Sequence, residues 1–274
     1  MPVAIFDMDG VLYRGSMLMP YAKETLERLR RAGWQVFFAT NNSTATRDEY
    51  VQRLSTLGLG GDAEHIVTSA YATAHYLERL DPKPRDVYVV GANGLREEIR
   101  ASGISVRDPS ALPGLEPGVA LPPPADTVVV GLDLQVTYAK IAEAQRCVLT
   151  GALFVCSNRD RAYPVEGRLL PGAGTIVAAI EVATGTTAIC IGKPEPFLFE
   201  EVLRRAGERG KVVVIGDSTD YDMVAAHRVG AVGVLILTGL TEESAVEHAR
   251  GEAVPDRVIR SLRELFDLPE FAGV

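Results

Sequence analysis

Two acidic residues follow the first apolar run of the chain. Val3–Phe6 is short and wholly apolar, which predicts a strand buried on both faces of a sheet. Asp7 and Asp9 come next, and because side chains alternate along an extended chain, both carboxylates face the same side. Burying two like charges costs several kcal/mol unless a cation compensates them. We therefore predict a bound metal cation at this strand end, where Gly10 allows the chain a sharp exit.

Polar residues also end three further predicted strands. They are Thr40–Ser43 at the end of QVFFAT, Lys193 after TAICIG, and Asp217 after VVVIG, with Asp220 and Asp222 a few residues on. Open α/β sheets place their ligands at the carboxyl ends of the strands. The spacing therefore predicts that these four strand ends meet at one site.

This set of residue types suits phosphoryl transfer. A carboxylate can act as a nucleophile and form an aspartyl-phosphate, and a second acid can protonate the leaving oxygen and later activate water. Magnesium prefers oxygen ligands, which carboxylates and a substrate phosphate supply. A lysine balances the charge of the transferring group. A threonine hydroxyl and the backbone N–H groups beyond a strand can hold phosphate oxygens.

Strand and helix patterns alternate along almost the whole chain, which predicts an α/β fold with helix-covered parallel strands. The pattern restarts at Asp86, and the Pro- and Gly-rich stretch 109–124 predicts a long loop. The polar motifs lie within residues 1–45 and 190–225. We therefore predict a discontinuous core domain, residues 1–79 and 187–274, and a second α/β domain inserted at residues 80–186.

The composition of the chain limits the classes of binding partner and the cellular location that we expect. The chain has 274 residues, a net charge of −8 and no basic cluster, which argues against a nucleic-acid partner. The apolar stretches all fall short of the roughly 20 residues of a membrane span, and Asp7 and Asp9 interrupt the N-terminal apolar run, so we expect neither a membrane partner nor a signal peptide. Three scattered cysteines indicate reduced thiols and a cytoplasmic location. They are Cys147, Cys156 and Cys190.

The ordered motifs DMDGVLY, ATNNS, GKP and GDSTDYD resemble the four motifs of the haloacid dehalogenase (HAD) superfamily. The stretches VVVGLD, SNRDRAYPVEGRLLPGAG and GKPEPFLF resemble its subfamily IIA, the NagD-like proteins, which include p-nitrophenylphosphatases, phosphoglycolate phosphatases and nucleotide phosphatases. The resemblance covers residues 3 to about 240. It implies a Rossmann-like parallel-sheet core with an inserted α/β cap domain of the C2 type.

The resemblance also implies roles for the acidic residues and the lysine. Asp7 would be the nucleophile and a magnesium ligand, and Asp9 the general acid and base, with its backbone carbonyl on the metal. Lys193 would pair with Asp7 and the phosphate. Asp217 would bind magnesium directly, and Asp222 would support the metal-bound waters. Many relatives carry a basic residue soon after the Gly-Asp of the fourth motif, but this chain reads Ser218-Thr219-Asp220. The role of Asp220 stays open.

The substrate-binding residues follow from the same resemblance. Thr40 and the backbone of Asn41 would grip the phosphate, with Gly10 and Asn42 beside them. In the cap, the relatives' Asn-Pro-Asp stands here as Asn158-Arg159-Asp160. We predict that Asn158 and Arg161 contact the substrate, although Arg159 is an alternative to Arg161 for an anionic leaving group.

The expected function is a magnesium-dependent phosphatase for small phosphomonoesters such as p-nitrophenyl phosphate, phosphoglycolate, or nucleotide or sugar phosphates. It would act through phospho-Asp7. Two alternatives stay open: a phosphotransferase or phosphomutase, and a phospho-accepting binding module without multiple turnover. The expected partner is a small phosphorylated substrate, and relatives suggest a homodimer through the cap. The physiological substrate and the oligomeric state stay open.

Overall fold

A computed structural model of the protein describes residues 1–107, 121–165, 168–207, 210–239 and 241–274. The described chain forms two compact units. The first contains residues 1–40, 47–67 and 193–274, and the second contains residues 41–46 and 68–192. The predicted loop 109–124 lies mostly outside the described residues.

The first unit is built on a six-stranded sheet and a short hairpin. Its strands are β1 (Val3–Phe6), β2 (Tyr13–Arg14), β3 (Met17–Leu18), β4 (Gln35–Thr40), β5 (Ile66–Thr68), β13 (Val212–Gly216), β14 (Val232–Ile236) and β15 (Arg257–Ile259). The sheet has the order β15-β14-β13-β1-β4-β5, and β2 pairs with β3. Strand β5 continues into the second unit at Thr68.

Strand β1 lies in the middle of this sheet because all four of its side chains are apolar and buried. It pairs in parallel with β13 on one side and β4 on the other, with Phe6 opposite Ile215 and Phe38. Parallel strands with both faces covered read as continuous apolar runs, as VAIF and VVVIG do. The residues that follow β1 and β13 therefore emerge side by side at the carboxyl edge of the sheet.

Among the described residues of the first unit, every α-helix but the shortest contains buried side chains. The α-helices are α1 (Ala22–Arg31), α2 (Arg47–Thr56), α7 (Phe197–Ala206), α8 (Val224–Arg228) and α9 (Glu243–Val246). In α1, Leu26 and Leu29 are buried, Glu24 lies in the first turn and Arg28 in the last, a charge order that the helix dipole favours.

The second unit is a five-stranded sheet with helices and a hairpin. Its elements are β6 (Asp86–Val90), β7 (Ser105–Arg107), β8 (Thr127–Val130), β9 (Leu153–Cys156), β10 (Ala162–Val165), β11 (Arg168–Pro171), β12 (Ile189–Cys190), α3 (Ser69–Glu78), α4 (Asn93–Ala101), α5 (Tyr138–Leu149) and α6 (Ala173–Thr184). The order is β12-β9-β8-β6-β7, and every pair is parallel. Tyr88, Val130, Phe154 and Val177 belong to its buried core. The α/β class with parallel sheets is confirmed.

Three details of the fold are not given by the sequence patterns described above. Of the expected strand TAICIG only β12 is extended, and the segment after β13 begins with a π-helical turn at Thr219–Met223 before α8. The polar stretch after β9 contains the hairpin of β10 and β11.

Within the described residues, none of the helices is long and apolar enough to span a bilayer.

The compact units also differ in extent from the predicted domains, 1–79 with 187–274 and 80–186. Residues 41–46, 68–79 and 187–192 group with the second unit. Helix α3 contributes to this difference because it packs on α4, and the backbone of Gly94 in α4 donates to Thr44 O at 3.1 Å. These contacts join distant chain segments, and local sequence patterns do not reveal them.

Candidate active site

Three carboxylates converge at the carboxyl edge of the first sheet. Asp7 follows β1, Asp217 follows β13, and Asp222 lies in the π-helical turn after β13. One carboxylate oxygen from each lies within 4.8 Å of the others, and all three residues are buried. The parallel pairing of β1 with β13 brings the first two together, with Asp7 N donating to Ile215 O at 2.9 Å.

Lys193 supplies the cation of this cluster. Its Nζ donates to Asp7 Oδ1 at 2.7 Å and to Asp222 Oδ1 at 2.6 Å, and the side chain is buried. Burial acts to lower the pKa of Lys193, but the carboxylates of Asp222 and Asp7 outweigh it and raise the pKa above the ordinary lysine value. The lysine is therefore an ammonium at neutral pH.

The charges of this cluster do not balance. With all three carboxylates ionised, one ammonium would leave two negative charges uncompensated in a buried place. Burial raises the pKa of Asp7 well above its ordinary value, against the opposing effect of Lys193, and the nearby Asp222 and Asp217 raise it further. A divalent cation held by carboxylate oxygens would neutralise the excess, so the residues present fit Mg²⁺ in charge and in donor type.

Glycines make room for two of these carboxylates. A Cβ at Gly239 would lie 1.7 Å from Asp217 Oδ2, and a Cβ at Gly10 would lie 2.2 Å from the same atom. A Cβ at Gly216 would lie 2.3 Å from both Cβ and Cγ of Asp222. Such contacts are impossible for real side chains, so the positions of Asp217 and Asp222 depend on glycine at all three places.

Asp9 lies two residues beyond Asp7 and is only partly buried. Burial raises its pKa, while Arg53 and Lys193 act to lower it. Arg53 comes from α2, stacks its guanidinium 4.2 Å from the ring centroid of Tyr13 and donates to Gly15 O at 2.7 Å. Sequence reasoning missed Arg53, because only the folded chain brings α2 to the segment after β1.

Thr40 ends β4 as a buried residue of the first unit, and the chain enters the second unit at Asn41. The Asn41 side chain donates to Asp160 Oδ1 at 2.8 Å. Asn42 Oδ1 accepts from the backbone N–H of Thr44 at 2.9 Å, which forms an Asx turn. Both asparagine side chains thus form hydrogen bonds within the protein. Asn41 and Asn42 would therefore bind a phosphate through their backbone N–H groups.

Known proteins resemble this chain in sequence and in fold. The sequence pattern of a haloacid dehalogenase-like hydrolase matches residues 4–105, and a second, HAD-hydrolase-like pattern matches residues 190–265. Chronophin from Homo sapiens is 37% identical over 95% of this chain and 90% of its own length. The chain belongs to the haloacid dehalogenase-like hydrolase family. The predicted resemblance is confirmed, including its subfamily IIA.

Two solved structures extend this HAD relationship to the fold. A glycerol phosphate phosphatase from Mycobacterium tuberculosis in complex with magnesium has a TM-score of 0.84 and 32% identity, covering 96% of this chain and 75% of that chain. A p-nitrophenyl phosphatase from Archaeoglobus fulgidus has a TM-score of 0.84 and 30% identity, covering 97% of this chain and 98% of that chain. The chain therefore has the HAD fold over nearly its full length.

The remaining predicted HAD site residues are distributed as follows. Asn158 is buried in the second unit, and its Nδ2 donates to the carbonyl of Asn41 at 2.7 Å. Arg159 forms a two-point ion pair with Glu181 at 3.0 and 2.6 Å, whereas Arg161 is exposed. Of the two arginines that sequence left as alternatives, Arg161 is therefore the more exposed. Asp220 is also exposed.

Proposed function

We propose that this HAD protein is a magnesium-dependent phosphatase that hydrolyses small phosphomonoesters. The observation that carries the proposal is the buried cluster of Asp7, Asp217 and Asp222 with Lys193 bonded to two of the three. The phosphatases that share its fold support the reaction class. Asp9, two residues after Asp7, adds the second acid that turnover requires.

Magnesium would be held by the carboxylates of Asp7 and Asp217, with the Asp9 carbonyl as a further oxygen ligand and Asp222 beside them. The ion supplies charge neutralisation at the transferring phosphoryl group, which would otherwise be repelled by the carboxylates. Lys193 contributes a fixed positive charge to the same place. Its bonds to Asp7 and Asp222 hold the ammonium without the need for solvent to reorganise.

Each side chain has a defined task in the proposed reaction. A carboxylate oxygen of Asp7 attacks phosphorus, the ester P–O bond breaks, and Asp9 gives its proton to the departing alkoxide. Asp9, now ionised, takes a proton from a water molecule that attacks phospho-Asp7. The P–O bond to Asp7 breaks, and inorganic phosphate leaves with Asp7 restored as a carboxylate. Thr40 and the backbone of Asn41 hold the phosphate oxygens through both steps.

The proposed substrate class depends on Arg161, which lies outside the carboxylate cluster. The exposed Arg161 suits an anionic or polar leaving group, which keeps phosphoglycolate, glycerol phosphate, sugar phosphates and nucleotides as candidates. p-Nitrophenyl phosphate serves as an activated test substrate. An alcohol acceptor in place of water would make the protein a phosphotransferase, and analysis of the products for a transferred phosphoryl group distinguishes the two.

The first experiment is a phosphate-release screen over these esters with and without Mg²⁺, on wild type, Asp7→Asn and Asp220→Asn. We expect magnesium-dependent multiple turnover for wild type and no turnover for Asp7→Asn, because an amide is not a nucleophile here. Asp220→Asn makes the same chemical change at an exposed position and should keep wild-type rates. Stoichiometric labelling without turnover would instead indicate a phospho-accepting module.

We further propose a cytoplasmic location and a homodimer formed through the second unit. The location is supported by three buried cysteines that are all free thiols, as expected in a reducing compartment. Fractionation of cells that express the tagged protein tests the location. Sedimentation equilibrium of the full chain tests the dimer, and a monomer mass at micromolar concentration would exclude it.

A further inference from the structure

A closed set of hydrogen bonds in the second unit surrounds Asn41. The side chain of Asn41 donates to the Asp160 carboxylate, and the backbone N–H of Asp160 donates to Asn158 Oδ1 at 3.1 Å. Asn158 Nδ2 completes the circuit by donating back to the Asn41 carbonyl. Because Asn158 Oδ1 must face an N–H, its Nδ2 must face the carbonyl, so the amide orientation is fixed.

A second donor reaches the same carbonyl. Ser69 Oγ, at the start of α3, also donates to Asn41 O. A carbonyl oxygen has two lone pairs, so Ser69 and Asn158 together satisfy both. Asn41 is 7% exposed, Ser69 0% and Asn158 3%. Water therefore has little access to replace a lost donor.

This arrangement fixes a peptide plane. The carbonyl of Asn41 belongs to the same planar trans peptide as the N–H of Asn42, and the two groups point in opposite directions. Holding the carbonyl with two donors therefore sets the direction of the Asn42 N–H. Hydrogen bonds accepted by a peptide carbonyl also polarise the peptide and make its N–H a better donor.

Close packing leaves the segment little freedom. Ser157 Oγ donates to Ser43 Oγ at 3.1 Å, two residues after Asn41. A Cβ at Gly192 would lie 2.6 Å from Asn41 Oδ1, and a Cβ at Gly131 would lie 2.9 Å from Ser43 Oγ. Glycine at both positions thus lets the segment lie against its neighbours.

We propose that Ser69 and Asn158 are positioning residues for phosphate binding, because together they hold the Asn41 carbonyl and so orient the peptide N–H of Asn42 in the turn after Thr40. This inference rests on the proposed function, in which that turn grips the phosphate. It reassigns Asn158 from a predicted substrate contact to a residue that acts through Asn41. It also adds Ser69, which no sequence motif indicated.

The test measures the binding of inorganic phosphate, the expected product, by calorimetry in the presence of Mg²⁺. Ser69→Ala removes one donor with little change in volume, and Asn158→Asp replaces a donor with an acceptor of the same shape. We expect each to weaken phosphate affinity about threefold to tenfold, and Asn158→Asp more than Ser69→Ala, since one hydrogen bond is lost and a repulsion is added. KM for p-nitrophenyl phosphate should rise by the same factor, with Mg²⁺ affinity unchanged.

The matched control is Thr73→Val. Thr73 is also buried in α3, and its hydroxyl donates to Ser69 O at 2.6 Å without touching Asn41. Thr73→Val should bind phosphate like wild type, which separates positioning from a general loss of stability. The double variant Ser69→Ala/Asn158→Asp should lose less than the product of the single effects, because both act on one carbonyl.

The inference would be overturned if both single variants bound phosphate as tightly as wild type, or if Thr73→Val weakened binding as much as they do. Absence of phosphate binding by the wild type with Mg²⁺ would also overturn it. Wild-type protein that binds phosphate but releases none from any ester would contradict the proposed function instead. In that case, weaker phosphate binding by Ser69→Ala would still support the positioning role.

Discussion

Lys193 Nζ lies 2.6 Å from Asp222 Oδ1, at least as close as it lies to the expected partner Asp7. Asp222 Oδ2 also accepts from the backbone N–H of Ser218 at 3.1 Å. Asp222 thus connects the ammonium to the chain that follows β13. Its predicted task of supporting metal-bound waters is joined by a second one, which is to hold the lysine in place.

Asp222→Asn should reduce kcat/KM about tenfold to a hundredfold, in the range seen when groups that orient metal-site residues are removed. The amide can still accept from Ser218, so the loss reflects the charge and the bond to Lys193. Steady-state kinetics against Asp220→Asn, its exposed neighbour, measures the effect. Equal rates for the two variants would contradict the role given to Asp222.

Lys193→Met should strengthen the binding of Mg²⁺ and weaken the binding of inorganic phosphate. Without the ammonium, three buried carboxylates face one another, so the metal-free protein should lose about 3–5 kcal/mol of unfolding free energy. Mg²⁺ should bind more tightly because a competing positive charge is gone, whereas inorganic phosphate should bind more weakly. Calorimetry with each ion tests this, and weaker binding of both ions would show that the variant has lost the site's structure.

Gly239→Ala should weaken Mg²⁺ binding about tenfold or more, because its Cβ would occupy the place of the Asp217 carboxylate. The control is Gly210→Ala, where a Cβ meets open space. Isothermal titration with Mg²⁺ alone gives the result without any assay of turnover. Unchanged affinity in Gly239→Ala would mean that Asp217 does not bind the ion.

Magnesium should stabilise the folded protein by mass action, by about 2.7 kcal/mol at a hundred times its dissociation constant. A chelator should reverse the gain. Asp217→Asn should melt at a temperature that no longer depends on Mg²⁺, because the buried cluster has lost one ligand. Thermal unfolding by circular dichroism with and without Mg²⁺ tests this, and an Asp217→Asn protein stabilised as strongly as wild type would refute it.

The ion pair of Arg159 and Glu181 should give the stability a specific pH dependence. The hydrogen bond from Arg159 lowers the pKa of Glu181, although burial opposes this effect. A lowered folded-state pKa contributes stability above the unfolded value of about 4.3, which is lost as the pH falls through the folded value. Glu181→Gln should cost roughly 1 kcal/mol at pH 7 and progressively less below about pH 4.

Urea unfolding of Glu181→Gln and wild type at several pH values measures this difference. Glu97→Gln is the control, because Glu97 pairs with Arg100 on the exposed side of α4 and should change stability by far less. A cost that stays constant from pH 7 to pH 3 would contradict the assignment, since an ionisation would then not be involved.

The sequence predicts the convergence of Asp7 and Asp217 for a simple reason. Each follows an apolar run, and parallel buried runs end at one edge of a sheet. The same reasoning does not predict the Lys193–Asp222 hydrogen bond. Asp222 lies in a π-helical turn, so the period of an ordinary α-helix does not give the direction of its side chain. Which strand ends meet can be predicted from pattern, but which atoms bond depends on the irregular turns that follow them.

The residues missed at the sequence level share a physical character. Ser69, Arg53 and Gly239 act through tertiary contacts, with a carbonyl, a ring and a carboxylate from distant parts of the chain. A buried serine at the start of a helix is typical of capping, and an arginine in a last turn is typical of the helix dipole. Their local roles are ordinary, so single-sequence patterns could not distinguish them.

The division of the chain at Thr40 and Asn41 has a consequence for building chimeras of this family. Residues 41–46 group with the second unit, although residues 1–40 and 47–67 on either side of them belong to the first. A graft that exchanges only the insertion would leave this hexapeptide with partners it did not evolve beside, and the circuit of Asn41, Asn158 and Asp160 would be split between two parents. A transplanted specificity module should therefore carry residues 41–46 with it as a separate, short piece.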